Sequence, residues 1–309
     1  MVHPQPGILR WLRIGLIALM IALLMVFLPS GTIYSFAEIV PLPIDETGGV
    51  PPYDWGYLTE EEGYEDESIS VRIEHGRFEG TNWTAVHVKI AHPSQLRTLK
   101  AGRYGSNQEL AGAVMARRVK SVVAIGGDFF AFHGHGYIVR QGKFHRNRPT
   151  GKHDVLVIDD QGDFHLLIRP TKQDIEAYEK ENKEHIINAF TFGPALIDQG
   201  KIIEDMTWAK TDPVLAQRIA FCQTGPLSYL AVYCEGPNDE GSIGMGIPQF
   251  ARLVASFPGV ISAYNLDGGS SATIVFKDKK INGPRAHRSR PIGDIIFFAS
   301  AFVQDADGE

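Results

Sequence analysis

The sequence predicts an α+β protein: a mixed, strand-rich sheet system with about three helices, preceded by an N-terminal hydrophobic helix and an acidic tether. Three observations carry this expectation. Short apolar or alternating runs recur from Ser68 onward, many closed by Gly or Asp turns such as Gln141-Gly142-Lys143 and Asp160-Gln161-Gly162-Asp163. Only three stretches carry helical signals, and no internal repeat breaks the series. The length, 309 residues, suits one large domain or two small ones.

The chain opens with a targeting pattern. Arg10 and Arg13 precede Ile14–Leu28, an uninterrupted apolar run containing one Gly, and no acid occurs before Glu38. Fifteen helical residues rise about 22 Å, short of a hydrocarbon core of about 30 Å. Ile8–Leu12 lengthens the segment, since arginine side chains snorkel. Ser35-Phe36-Ala37 puts small residues at the −3 and −1 positions of a signal-peptidase site. Residues 1–28 therefore read as a signal anchor or a signal peptide. The positive residues stay inside, so the rest of the chain is exported either way. The expected location is the cell membrane, single-pass with the domain on the outer face, or secretion if the leader is cleaved.

Residues 29–67 read as an acidic, Pro-rich tether. Pro29, Pro41, Pro43, Pro51 and Pro52 punctuate it, and residues 38–67 carry ten acids and no Lys or Arg. The formal charge of −6 is thus unevenly placed. Residues 68–309 keep 26 acidic against 28 basic side chains of the chain's 36 and 30, near neutrality. No basic stripe or nucleic-acid signature appears, so nucleic acid is not an expected partner.

From residue 68 to 309 a single domain is expected. Ile69–Ile73, Trp83–Ile90, Ser121–Ile125, Tyr137–Arg140, Val155–Ile158, Phe164–Ile168, Phe190–Phe192, Leu196–Ile197, Ile219–Cys222, Tyr229–Tyr233, Ile261–Asn265, Ala272–Phe276 and Ile295–Phe298 fit strands. Ser106-Asn107-Gln108-Glu109 is a capping box leading into a helix over Leu110–Arg118. Thr171–Glu184 begins with a Thr-x-x-Asp cap and is otherwise polar, which fits a surface helix. Pro248 suits the first turn of a helix whose apolar face is Ile247, Phe250, Ala251 and Val254. Cys222 and Cys234 flank a hairpin about Gly225-Pro226. The turn sets Cys222 opposite residues near 230, so two buried free thiols are expected rather than a bridge.

The residues able to carry chemistry sit at strand ends. Asn265-Leu266-Asp267-Gly268-Gly269-Ser270-Ser271 joins two apolar runs. Consecutive glycines let backbone N–H groups converge on one anion. Strand alternation puts Asn265 and Asp267 on one face. An Asp-Gly hairpin turn is the plainer reading of the same residues. A second acidic glycine turn, Gly126-Gly127-Asp128, also ends an apolar strand. Asp267 and Asp128 on one rim would form an acid/base pair, a nucleophile with its partner, or metal ligands. Arg218 opens a strand and Arg285, Arg288 and Arg290 gather near the C-terminus, where they offer planar forks for phosphate or form a solvated loop. His133 and His135 share one face of an extended segment, with no third ligand fixed by spacing for zinc. A loop over the substrate is the alternative.

Taken in order, these motifs resemble the phosphodiester glycosidase family over roughly residues 100–300. Ala124–Phe130, Phe192-Gly193-Pro194-Ala195-Leu196, Gln217-Arg218-Ile219-Ala220-Phe221, Gly244-Met245, Asn265–Ser271 and Arg290-Pro291-Ile292-Gly293-Asp294 each resemble a family motif. The chain departs from the family at Gly126, where the family has Asn, and at Phe221-Cys222, where it has Ile-Gly. The leader and tether are similar to those of exported bacterial members.

The resemblance implies an exported hydrolase acting on the sugar C1–O–phosphate bond of a sugar-1-phosphodiester on a cell-surface or extracellular glycan. The leaving group is a phosphate monoester, far less basic than a sugar alkoxide, and needs little protonation. The implied catalytic residues are Asp267, Asp128 and Arg218. Substrate binding falls to Asn265, Gly268, Gly269, Ser270, Ser271, Gly127, His133 and Arg290. No cofactor is certain; a divalent cation such as Ca²⁺ would suit Asp267 and Asn265. The alternative function is non-catalytic binding of an anionic glycan, or assistance to exopolysaccharide assembly.

Overall fold

The computed structural model describes residues 39–59, 62–206, 214–237, 239, 241–283 and 290–304. Contacts divide the chain into Met1–Ala37 and Glu38–Glu309. The first unit, and with it the hydrophobic helix and leader expected there, lies outside the described residues. So do Arg285 and Arg288. Among the described residues no helix is long and apolar enough to cross a membrane.

Strands, many of them buried along their whole length, build three sheets. The largest has eight strands in the order β1 (Gly63–Glu65), β2 (Ile69–Phe78), β3 (Thr81–Ile90), β14 (Ser228–Cys234), β13 (Arg218–Gly225), β15 (Ser262–Asn265), β11 (Ala195–Asp198), β12 (Lys201–Ile202). A second runs β7 (Lys143–Arg148), β6 (Gly136–Arg140), β10 (Ile186–Thr191), β8 (Val155–Asp159), β9 (Phe164–Leu167). The third runs β17 (Lys279–Lys280), β16 (Ile274–Phe276), β5 (Val123–Gly126), β18 (Asp294–Phe298), β4 (Leu96–Lys100). Neighbouring strands in all three pair antiparallel.

Alternation decides what each face meets. On β13, Ile219 and Phe221 join a central core with Tyr229, Phe190, Ile125 and Phe298, drawn from all three sheets. Ala220 and Cys222 point the other way, into a cluster under helix α3 (Ile247–Ala255). Helix α1 (Gly112–Arg118) covers the third sheet through Met115 and Ala116. Helix α2 (Lys172–Asn182) seats Ile175 on the second and leaves its polar face to solvent. Burying one large apolar side chain contributes roughly 1.5–3 kcal/mol, so each sheet needs the cover its helix supplies.

The three expected helices are present, with one difference at a cap. Thr171 and Asp174 form the reciprocal capping box, and Pro248 lies in the first turn of α3. The box at Ser106–Glu109 does not form. α1 starts at Gly112 after Ala111, with no side-chain cap. Leu110 is held in extended pairing with Ile292, N–H to O at 3.0 and 2.9 Å in the two directions, which delays the helix. Cys222 lies opposite Leu230 and Cys234 opposite Arg218; both thiols are free and buried.

The tether expected over residues 29–67 is part of the folded unit from Ile39 on, wherever it is described. Ile39 bridges to Phe302 and Val50 to Ser300. The Asp45 carboxylate meets the fully buried guanidinium of Arg97 at 2.9 Å, and Glu46 pairs with Lys100. Tyr53 and Trp55 pack on Phe302, and β1 extends the large sheet. Acids that look like a solvated run in sequence answer buried cations of the body.

Candidate active site

Antiparallel pairing in the third sheet brings the two acidic glycine turns together at one end. Gly126 ends β5 and lies opposite Ile295 of β18, so the next residue, Gly127, meets Asp294. The Gly127 N–H donates to Asp294 O at 3.2 Å, and the Gly127 carbonyl accepts from the Asp267 N–H at 3.2 Å. A Cβ on Gly127 would stand 2.1 Å from Asp294 Oδ1. Glycine is therefore required here because a carboxylate occupies the space of a side chain. Gly126, Gly127, Phe129, Asp267, Ser271, Gly293 and Asp294 line one narrow pocket, together with Glu109 and Ile292. Its room for the centre of a water-sized molecule is about 10 Å³, roughly what one water needs.

Beneath the pocket lies a charge cluster that sequence reasoning only half anticipated. Asp128 is fully buried. One oxygen accepts from Arg140 Nη2 at 2.7 Å and from the Phe130 N–H at 3.2 Å; the other accepts from the Thr191 N–H at 2.8 Å. Arg140, also fully buried, donates from Nε and Nη2 to Asp294 Oδ2 at 3.0 and 2.8 Å. Its Nη1 donates to the carbonyls of Val139 and Ala189. The guanidinium lies 4.1 Å from the Phe190 ring centre and 5.1 Å from that of Phe130. One cation thus serves two carboxylates in a dry site. Burial pushes Asp128 up from the ordinary carboxylate range against the pull of Arg140. Asp294 rises to about 6, through burial and the neighbouring Asp128, again opposed by Arg140.

Asp267 is the carboxylate of the three with an opening. It is half-buried while Asp128 and Asp294 are sealed. Its pKa is raised to about 6 by burial, with Asp128 and Asp294 adding repulsion; a hydrogen bond from Ser271 and the charge of Arg290 oppose the rise. At neutral pH it is therefore mainly ionised, yet basic enough to take a proton. Arg290 lies beside this pocket, its backbone N–H on Ser270 O at 3.3 Å. Its guanidinium is 3.5 Å from Glu109 and lies 5.2 and 5.7 Å from the ring centres of Phe129 and Phe132.

The remaining expected site residues take different places. Gly268 and Gly269 form the turn after Asp267; a Cβ on Gly268 would meet Gln217 O at 2.7 Å, and Gly269 has φ of 56°. Ser270 is exposed and Ser271 buried. Arg218 lies under this turn by its backbone, but its side chain points away from Asp267's pocket. Nε donates to Met245 O at 3.2 Å and Nη2 to Val214 O at 2.7 Å. Its position on β13 explains this, since it shares the face of Ala220 and Cys222 that looks toward α3. Asn265 braces the Gly193-Pro194 turn, Nδ2 to Gly193 O at 2.7 Å. Its buried Oδ1 has no donor among the described residues.

His133 stacks on His135 at 4.2 Å, and His135 on His153 at 4.6 Å. Burial lowers all three, His133 to about 4, so the tier is neutral at pH 7. Among the described residues no group of three His, Cys, Asp or Glu is arranged to hold a metal ion. Two residues of the site went unassigned in sequence. Asp294 closes the Arg290–Asp294 motif, and Arg140 is a cation ending an otherwise apolar strand. That mismatch was the available signal.

Three carboxylates and one buried arginine thus gather at the end of a sheet. The family model described as phosphodiester glycosidase matches residues 119–299. The chain belongs to the phosphodiester glycosidase family, a family of glycosidic hydrolases. Among solved structures it is similar to the catalytic domain of zebrafish N-acetylglucosamine-1-phosphodiester α-N-acetylglucosaminidase, auto-inhibited by its pro-peptide. That match has 18% identity and a TM-score of 0.61, covering 86% of this chain and 99% of the other. A hypothetical protein from Synechocystis matches at 15% identity and a TM-score of 0.55, over 78% and 64% of the two chains. At these identities the likeness is one of fold. No curated protein matches the sequence.

Proposed function

We propose that the chain hydrolyses the sugar C1–O–phosphate bond of a sugar-1-phosphodiester on a cell-surface or extracellular glycan. The observation that supports this most is that Asp267, the half-exposed carboxylate, lines a pocket with Glu109 and Phe129 while the Arg290 guanidinium lies against both of those residues, 3.5 Å from Glu109 and 5.2 Å from the Phe129 ring centre. Water seated beside Asp267 gives its proton to that carboxylate as its oxygen bonds to C1. The C1–O bond breaks, and the phosphate monoester leaves with both electrons. The monoester leaves as a dianion whose conjugate acid has a pKa of about 6, so a cation that takes up its charge stands in for a general acid, and one base and one anion receptor suffice. Sealed with Arg140, Asp128 and Asp294 keep negative potential beneath the sugar, which favours an oxocarbenium-like transition state. Arg290 takes the phosphate role that the sequence assigned to Arg218, because Arg218 is turned onto two carbonyls.

Export is part of the proposal and rests on Arg10, Arg13 and Ile14–Leu28. The domain is then membrane-anchored on the outer face or secreted; cell fractionation with antibody to the domain separates these. Release of sugar and phosphate monoester from a panel of sugar-1-phosphodiesters tests the reaction. A chelator arm tests the cation: turnover unchanged by chelator leaves the phosphate to Arg290. Loss restored by Ca²⁺ would put a cation on Asp267 and the Asn265 Oδ1.

One observation favours a second reading, a surface protein that binds an anionic glycan without cleaving it or assists exopolysaccharide assembly. Gly126 stands where the family has Asn, and a Cβ there would lie 3.2 Å from Ser271 O, so this pocket wall has closed over the place of a side chain. Binding of the same substrates with no product at any pH would establish that reading.

A further inference from the structure

We propose that the stacked pair Phe129–Phe132 is the sugar subsite, and that it selects a pyranose by its C–H face while Arg290 holds the anomeric phosphate. This rests on the reaction proposed above for its orientation, though the subsite itself is argued from the rings. They are stacked, with centres 4.6 Å apart and planes within 24°. Phe129 lines the same pocket as Asp267 and Asp294. Phe132 is 37% exposed and, stacked on Phe129, continues its apolar surface outward from a pocket whose other lining is carboxylates, glycines and Ser271 with Ile292.

Their placement is imposed rather than relaxed. Phe129 has φ of 62°, the left-handed region that a bulky residue avoids. The surroundings hold it there: the Asp128 carboxylate takes the next N–H, that of Phe130, and the Phe132 N–H donates to Phe129 O at 3.2 Å. The same carboxylate that binds Arg140 therefore fixes the aromatic lip.

The chemistry of the ligand follows from three features side by side. A phenyl face suits a surface of C–H groups, a guanidinium lying across both rings suits an anion, and a carboxylate below suits a water or a carbon gaining positive charge. A pyranose with phosphate at C1 presents these three in the same order. Inorganic phosphate presents one of them.

Titration calorimetry on the full domain tests this with two probes, glucose 1-phosphate and inorganic phosphate, against wild type, Phe132→Ala and Phe132→Trp. Phe132→Ala is expected to weaken glucose 1-phosphate about tenfold, the upper range for an aromatic contact, to leave phosphate unchanged, and to be rescued by Phe132→Trp. Equal loss of both probes would reduce the pair to a seat for Arg290 and overturn the proposal. Unchanged binding of both, or no binding by wild type, would also overturn it. A wild type that binds glucose 1-phosphate through Phe132 yet cleaves no diester would remove the reaction and keep the subsite; cleavage with Phe132-independent binding would do the reverse.

Discussion

Arg140→Met is the substitution that most sharply tests how the site is held together. Methionine fills much of the arginine's volume but removes a cation that makes five hydrogen bonds, three of them to Asp128 and Asp294. Both carboxylates are sealed from solvent, so neither regains water as a partner. Breaking a buried ion pair by deleting one side costs about 3–5 kcal/mol. At this chain length that is a fall in melting temperature of about 5–10 °C. The pH dependence adds a second signature. Both acids are raised in the native state, so there they bind more protons than the unfolded chain does above its carboxylate pKa of about 4. Their contribution to stability therefore falls as pH rises from about 4 through their native pKa values. Without Arg140 those values rise further and the fall extends to higher pH. Denaturant unfolding at pH 5 and pH 8 should give a larger deficit at pH 8, and Arg140→Met with Asp294→Asn should recover part of it. A deficit under about 1 kcal/mol at pH 8, or one that does not change with pH, would refute the buried charge triad.

Four further outcomes follow from the same geometry. If ionised Asp267 is the base, kcat/KM falls as pH drops through about 6, by about tenfold between pH 7 and pH 5; a flat acid limb in stopped assays would remove it from that role. Gly127→Ala drives a Cβ into the Asp294 carboxylate and is expected to lower turnover at least about tenfold through displacement on the scale of an ångström; wild-type kinetics would mean that Asp294 moves without consequence. Arg218→Lys is expected to lower melting temperature and to weaken phosphodiester and aryl glycoside substrates alike, because the side chain braces Met245 and Val214; selective loss on the phosphodiester would restore Arg218 as the phosphate grip. Cys222 and Cys234 are buried and their thiols are raised by desolvation, Cys234 to about 12, so neither should react with a thiol reagent until the protein unfolds; rapid native labelling would contradict the packing under α3.

Where local pattern and tertiary demand agreed, the sequence was legible. The alternating run at Trp83–Ile90 and the continuous apolar run at Tyr229–Tyr233 became β3 and β14, paired with each other. The Thr171 and Pro248 signals marked helix starts, since their capping is satisfied within the first turn. Where a distant strand claimed the backbone, local signals lost. Leu110 pairs with Ile292 rather than continuing from Ser106 into a helix. The acidic run from Glu38 was misleading for the same reason, as composition does not reveal that Arg97 and Lys100 lie buried beneath Asp45 and Glu46.

At the site, two glycine–aspartate turns at apolar strand ends pointed to one rim for Asp128, Arg218 and Asp267; the two turns do meet, Asp267 N–H on Gly127 O, but Asp128 is sealed below and the Arg218 side chain binds Met245 O and Val214 O. Their division of labour was not visible. It depends on exposure, which seals Asp128 and opens Asp267, and on strand parity, which turns Arg218 toward α3. The third carboxylate, Asp294, comes from pairing Ile295–Phe298 of β18 with Val123–Gly126 of β5, far apart in the chain.

Anomeric product release by wild type and Asp267→Asn, on one sugar-1-phosphodiester at pH 7, bears most directly on the proposed activity. Wild type should release sugar and phosphate monoester, and the variant should retain its melting temperature while turning over at least about 100-fold more slowly. A folded variant that cleaves at the wild-type rate, or a folded wild type that binds but never cleaves across the substrate panel, would contradict it.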